Sequence, residues 1–286
     1  MLEVTDYKTA VEVLKNPLMV QALYEKSPVI MADVLLTLEG DEHLQRRQVE
    51  YRVFDRYFLR DYEQQVFPQV FAPILQHATK AGQIDLVEMV YRVVMNLTAD
   101  FAGIDRQGDS VTETDMLVKL IKAFSAAATI EHSTLDREAI NSEAVSNLQL
   151  LEMKFLRPSI QRRQAIIEAG AELPNDVLST HLQVDPPLPA DVLLREIAFY
   201  LQAGAHSTAN STVHAMHEIL TWCQGSDGRR SILLNDRALL QRCVHESLRL
   251  HPASPVSLRR ASQPAEIGGR SLVGGDLVAV NLEKAN

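Results

Sequence analysis

Four groups of residues in this chain have types and spacings that can do chemistry. His43 and Arg47 stand four apart, which on a helix puts an imidazole and a guanidinium on one face. They can converge on a single anion or stay solvated. Glu246 and Arg249 are three apart and can close a bidentate carboxylate–guanidinium pair, of a kind that surface helices also carry. The run AGAHSTA, residues 203–209, sets small residues, an imidazole and two hydroxyls where a buried helix normally carries Leu or Ile. Gly204 alone costs a helix about 1 kcal/mol against Ala, so either something bulky lies against the backbone or another helix crosses closely. Arg52, Arg56 and Arg60 form an i, i+4 basic stripe on an acidic chain. That stripe is either a solvated face or a docking patch for an acidic partner.

The two cysteines, Cys223 and Cys243, stand in no CxxC or Cys/His metal spacing. They read as ordinary buried thiols in a reducing compartment without a disulfide framework. A net charge of −9 gives no electrostatic reason to expect nucleic acid or an anionic membrane as partner. The start MLEVTDYKTAVEVL lacks the basic and apolar runs of a signal peptide, and no stretch of about 18 uninterrupted apolar residues follows. The expectation is a soluble, cytoplasmic protein. With 286 residues, 46% of them hydrophobic, the chain can bury one large core or two ordinary ones.

The elements that must position these groups are mostly helical. Residues 189–222 read as one long helix, apolar at Leu194, Ile197, Ala198, Leu201, Ala205, Ala215, Ile219 and Leu220. At 1.5 Å per residue it spans roughly 50 Å, with prolines before it and residues 224–228 stopping it. Ahead of it lie an extended start at residues 2–4 and a helix over 7–14 that Asn16-Pro17 ends. Residues 18–39 are ambiguous, with Pro28 as a break and 31–38 a short helix or buried turn. Asp41 is the expected cap of a helix reaching Phe54. Further helices are expected over 62–81, 85–104 and 112–130, separated by Gly82, by Gly108 with Asp109, and by 131–136, with Asp85 and Thr112 as caps. A helix over 139–170 is interrupted at Pro158, and a shorter one covers 174–181. Beyond the long helix come a short helix at 229–234 and one capped by Asn235 or Asp236 that carries Glu246 and Arg249. The last residues turn β-prone at 255–261, 266–272 and 276–282, with glycine pairs at 268–269 and 274–275 as turns.

In this order the segments resemble the cytochrome P450 family of heme-thiolate monooxygenases, its soluble bacterial members in particular, over essentially the whole chain. VTDYKTAVEVLKNP resembles the family's first short helix, EHLQRRQV its HxxxR helix, and FYLQAGAHST its long distal helix with the AGxxT motif. HESLRLHPASPVSLRRA resembles the ExxR helix and the strand after it, the most specific of the four. The resemblance implies a mainly α, many-helix domain with a small β region near the C-terminus. It implies heme b, with His43, Arg47 and Arg259 holding the propionates and Ala203 and Gly204 small beneath the porphyrin. Glu246 and Arg249 become a structural ion pair. The implied reaction inserts one oxygen atom from dioxygen into a small apolar organic substrate, with electrons from a ferredoxin-type donor docking near Arg52, Arg56 and Arg60. Neither nucleic acid nor a membrane is an expected partner.

The chain departs from the family pattern in two places. Where the family sets an acid followed by Thr, this sequence has His206 and Ser207, with Thr208 next door as a substitute hydroxyl. An imidazole can still move protons near neutral pH, so His206, Ser207 and Thr208 are the candidate catalytic residues. Neither Cys223 nor Cys243 matches the family's ligand loop, so no residue is assigned to the metal and the axial cysteine is absent from this chain. The expectation is a single, incomplete domain over 1–286, truncated at both ends and inactive alone. Two other readings stay open: a non-catalytic helical fragment or interaction module without heme, and a peroxide-using or atypical member.

Overall fold

The computed structural model describes residues 1–106 and 110–286. The break expected at Gly108 and Asp109 lies outside the described residues. In chain order the elements begin with strand β1 (Leu2–Val4), helix α1 (Tyr7–Lys15) and strand β2 (Met19–Gln21). Helices α2 (Pro28–Met31), α3 (Gly40–Glu50), α4 (Arg56–Asp61), α5 (Phe67–Ala81) and α6 (Leu86–Ala102) follow. Next are α7 (Ser110–Ala128), α8 (Arg137–Leu151), α9 (Arg157–Glu168), α10 (Val177–Leu182) and α11 (Ala190–Cys223). Helices α12 (Asp227–Asn235) and α13 (Arg237–Leu250) precede strands β3 (Val256–Ala261), β4 (Ala265–Ile267), β5 (Arg270–Leu272) and β6 (Leu277–Asn281) and helix α14 (Leu282–Ala285). The chain divides into two compact units, one of Met1–Leu23 with Ser207–Asn286 and one of Tyr24–His206.

The first unit is organised by a four-stranded sheet of order β1-β6-β3-β2. Strand β1 runs parallel to β6 with Leu2 opposite Val278 and Val4 opposite Val280, while β3 lies antiparallel to both β6 and β2. Val4, Val278 and Val280 alternate onto one face, where they join Ala10 and Val13 of α1, Ile267 and Ala285 in a single apolar cluster. Asp6 caps α1 by accepting the Thr9 N–H at 2.9 Å. The β4–β5 hairpin turns through Gly268 and Gly269 at φ 55° and 73°, a left-handed pair that glycine adopts without strain.

The second unit is helical. Asp85 caps α6 as expected, and α6 buries Val90, Val94, Met95, Thr98 and Ala102 along one stripe. Helix α7 packs on α6 and α8, and α10 packs on α3 and α6. Gly103 ends α6 at φ 85°, where a Cβ would lie 2.4 Å from Asp176 Oδ1 and 2.7 Å from Leu178 Cβ. That close approach brings α6 against a buried ionic knot on Arg163. Its guanidinium, 2% exposed, donates to Asp176 at 2.6 Å, Asp105 at 2.9 Å and Ser179 Oγ at 2.9 Å.

Several boundaries differ from those expected. Asp41 lies in the first turn of α3, and the cap position falls to Glu39, whose side chain makes no capping bond. Acidic Asp41 and Glu42 support that helix end through the helix dipole instead. The helix expected to reach Phe54 ends at Glu50. A 3-10 turn follows at Tyr51–Phe54, and then Asp55, extended at ψ 142°, caps α4 by accepting the Tyr57 N–H. The basic stripe is thereby split, with Arg52 on the turn and Arg56 and Arg60 on α4, all three exposed. Thr112 is inside α7 rather than capping it, because the helix starts at Ser110. The interruption at Pro158 is a wide π turn at Glu152–Leu156, which leaves Pro158 in the first turn of α9, where its missing N–H costs nothing. Asp227 and Gly228 open α12 rather than closing α11, with Ser226 as cap. The ambiguous region resolves into β2, α2 and a 3-10 turn at Leu35–Thr37. Cys223 and Cys243 are half-buried rather than buried, and both are free thiols. Among the described residues no helix is long and apolar enough to cross a membrane.

Asp105 keeps Arg162 at 3.2 Å, but buried Asp176 has its guanidinium partner in Arg163, and removing that charge leaves the Asp176 carboxylate uncompensated. Arg163→Met should cost about 3–5 kcal/mol, read as a lowered urea midpoint for the whole chain.

Candidate functional site

The middle of α11 is built differently on the two sides of the unit boundary. In the second unit Gly204 faces α6, and a Cβ on it would lie 2.7 Å from Thr98 Cγ2 and 3.2 Å from Thr98 Oγ1. The close helix crossing that the small residues allow is therefore present, and it accounts for glycine at 204 without any ligand. Ala203 beside it is half-buried. Two positions beyond Gly204, His206 turns its Nδ1 to Tyr91 Oη of α6 at 2.9 Å, with Lys122 Nζ 5.7 Å from the Tyr91 ring centroid. Burial first, and then the Lys122 charge, pull the His206 imidazole below its ordinary pKa of 6.5. It is neutral at neutral pH, so one of its nitrogens can accept a proton. A cavity of about 230 Å³ beside Tyr91 is lined by Glu88, Arg92, Asp115 and Lys122 among others.

His43 and Arg47 lie one turn apart on α3, His43 half-buried and Arg47 exposed, and neither has an acidic partner among the described residues. What anchors α3 lies behind them. Arg46 Nη1 pairs with Glu196 of α11 at 2.8 Å, and Glu196 also accepts the Leu35 N–H at 3.0 Å. Glu50 accepts the Tyr200 hydroxyl of α11 and meets His181 Nε2 of α10 at 2.9 Å. Sequence reasoning passed over this cluster. Its one trace there is a pair of polar groups, Glu196 and Tyr200, four apart on an otherwise apolar stretch.

In the first unit Arg259 sits on β3 opposite Val278 and Gln21. It is half-buried without an acidic partner among the described residues, and the loss of water lowers its pKa. Glu246 and Arg249 form the expected bidentate pair at 2.7 and 2.9 Å on the exposed face of α13. The shared hydrogen bonds hold Glu246 below and Arg249 above their ordinary values. Of the hydroxyl residues, Ser207 is half-buried and Thr208 exposed, the Thr208 carbonyl accepting from Thr212 Oγ1 at 2.8 Å. A second cavity, about 250 Å³, opens beside Asn210, His214, His251 and Glu283, with His214 stacked on His251 at 4.6 Å and His251 bonded to Glu218 at 2.8 Å. The sequence reading assigned nothing to these imidazoles.

Solved structures share this fold at low identity. P450BioI in complex with acyl carrier protein ligated to hexadec-9Z-enoic acid matches with 15% identity and a TM-score of 0.78. The versatile cytochrome P450 enzyme CYP109B1 from Bacillus subtilis matches with 18% identity and a TM-score of 0.76. Each match takes in 99% of this chain, and 70% and 71% of those chains respectively. The family model for cytochrome P450 matches residues 56–286, and the chain belongs to the cytochrome P450 family. It is similar to the cytochrome P450 family protein EryCII of Saccharopolyspora erythraea, at 33% identity over 122 residues. That stretch is 43% of this chain and spans 32% of the relative's length.

Heme is the cofactor that membership implies, and the residues present fit part of it. Arg259 is a desolvated cation with no acidic partner among the described residues, and the same holds for His43 and Arg47, which suits carboxylate groups. The fit ends at the iron. Cys223 closes α11 and Cys243 lies within α13, neither on a loop. Among the described residues no three His, Cys, Asp or Glu side chains could hold a metal ion.

The crossing at Gly204 can be tested separately from any ligand. Gly204→Ala should destabilise the chain by about 1–2 kcal/mol, since the overlap with the stiff Thr98 side chain outweighs the helix gain. In a Thr98→Ala background the same change should stabilise by up to about 1 kcal/mol. A double-mutant cycle on unfolding free energies checks that reversal of sign.

Proposed function

We propose that the protein acts as a heme-dependent monooxygenase, inserting one oxygen atom from dioxygen into a small apolar organic substrate. Family membership sets the class, and the observation on this chain that carries the reading is Arg259, a half-buried guanidinium with no acid to answer it among the described residues. Bound heme would supply the electron transfer and oxygen activation that no side chain can. The chain's own residues bind and position. Arg259 would take a carboxylate of the cofactor, as would His43 and Arg47 on α3, and the small side chain of Ala203 would limit crowding on its face of α11. Ser207 and Thr208 offer hydroxyl donors, and His206 Nδ1, bonded to Tyr91, holds or passes a proton. Glu246 and Arg249 brace α13. We read the chain as a single cytochrome P450 domain, since one family model runs through both compact units. With no axial cysteine on it, the chain alone is inactive.

Arg56 and Arg60, exposed and without ion pairs to described residues, are the proposed docking point for an acidic ferredoxin-type donor, with Arg52 beside them. Free Cys223 and Cys243 favour a reducing cytoplasm. A second reading, an interaction protein that keeps the fold without heme, is favoured by His206. An imidazole bonded to Tyr91 stands where the family has its acid.

Titration of the purified chain with hemin, followed by absorption, separates the two. The first reading expects saturable binding that weakens about tenfold in Arg259→Ala and further in a His43→Ala, Arg47→Ala double variant. It also expects no thiolate-type red-shifted band in the reduced carbon monoxide complex. Binding indifferent to all three substitutions, or none at all, would leave the interaction protein standing.

A further inference from the structure

Helix α3 is held in an unusual way. The residue it buries is Glu50, while Leu44 is exposed and Val49 only half-buried, so an apolar stripe does not dock it. Polar groups do. Arg46 and Glu50 of α3, His181 of α10, and Glu196 and Tyr200 of α11 meet in one sealed cluster, with Glu50 and Glu196 at 0% exposure. Two carboxylates thus face one guanidinium and one imidazole.

The neighbours from every side are few. Leu35 contributes an N–H to Glu196, and Arg47 lies near enough to Tyr200 to lower its pKa against the upward push of burial and Glu50. Helix α6 faces Tyr200 with Phe101, 6.2 Å away, and the 3-10 turn after α3 with Phe54, 6.3 Å away. Both rings are uncharged. Arg46 is the one permanent cation of the cluster, so loss of the carboxyl and imidazole protons would leave one negative charge uncompensated in a medium that screens poorly.

We propose that this cluster is a proton-operated clasp: holding a shared proton, it seats α3 on α10 and α11, and so sets the reach of His43 and Arg47 toward an anionic ligand. That the ligand is heme rests on the preceding functional reading; the clasp itself does not. When the proton leaves, Glu50 and Glu196 repel across the α3–α11 contact and α3 loosens. The groups are positioning residues, since none touches the ligand.

Burial chiefly, then the Glu50 carboxylate, push Glu196 up to about 8 from an ordinary 4.5, against the pull of Arg46. A carboxyl whose pKa is higher folded than unfolded binds more protons in the folded chain between those two values. Its contribution to stability is therefore lost as pH rises through that window.

The experiment measures hydrogen exchange of α3 amides, corrected for intrinsic rate, in the full chain at about pH 6.5 and about pH 9. Hemin affinity is titrated at the same two values. The clasp expects α3 protection to fall at least about tenfold more than that of α7 at the higher pH, with hemin binding weakening in step. Glu196→Gln, which keeps an acceptor for Arg46 and Leu35, should hold α3 protected at both. Tyr200→Phe covers the case in which that variant fails to fold. Loss of the Tyr200 hydroxyl removes a hydrogen-bond donor from the charged form of the cluster, which favours the form that holds the proton, so the midpoint of the α3 transition should move up. An α3 that loosens only with the rest of the chain, a Glu196→Gln protein that keeps the transition, or an unmoved midpoint in Tyr200→Phe would each overturn the clasp. A chain that binds no hemin at either pH sinks the heme reading, while the exchange data still decide the clasp.

Discussion

A carboxylate sealed from water needs a cation, enough donors or a proton, and the packing of α3, α10 and α11 in the second unit is arranged around that requirement. Glu50 and Glu196 have almost no exposure, so their partners are fixed in place: Arg46, His181, the Tyr200 hydroxyl and the Leu35 N–H. Such groups contribute less net stability than apolar side chains of the same volume would. They impose instead a single register between the helices, because a one-turn slip would leave a charge buried alone. Arg163 does the same for α9 and α10 through Asp105, Asp176 and Ser179.

Apolar packing governs elsewhere in that unit. Helices α6, α7 and α8 bury continuous stripes, and where α6 meets α11 the packing is so close that Gly204 has no room for a methyl group beside Thr98. The first unit depends on a different device, backbone pairing. Its strands are three to six residues long and acquire a core only because α1 and α14 close over the valines of β1 and β6.

Much of the helical order was legible, since long 3.6-residue periods such as that of α11 survive any tertiary setting. The caps at Asp85 and Asp236 and the Gly268-Gly269 turn were legible too, because each has a local cause. Boundaries were lost where tertiary contacts decided them, as at Glu50, whose buried bonds to His181 and Tyr200 mark the end of α3 short of the expected Phe54. Family motifs led to His43, Arg259 and the Glu246–Arg249 pair. Nothing local marks Glu50 as buried: on α3 it is one more acid on a polar helix, and only His181 and Tyr200, more than a hundred residues away in sequence, give it a place. The bond from His206 to Tyr91 was hidden for the same reason.

The pairing of β1 with β6 joins the two extremities of the chain. During synthesis Tyr24–His206, one continuous stretch, has every segment of its core once the ribosome has passed α11 and can fold while translation proceeds. The opening segment cannot. β1, α1 and β2 are made before that unit, and their partners β3 and β6 only after it. Until β6 is made the nascent chain therefore carries two unpaired strands with their backbone groups exposed, an open invitation to another chain's edge. Production of this protein should accordingly be more sensitive to the holdase chaperones that meet β1 and β2 than to any that act on the finished helical unit.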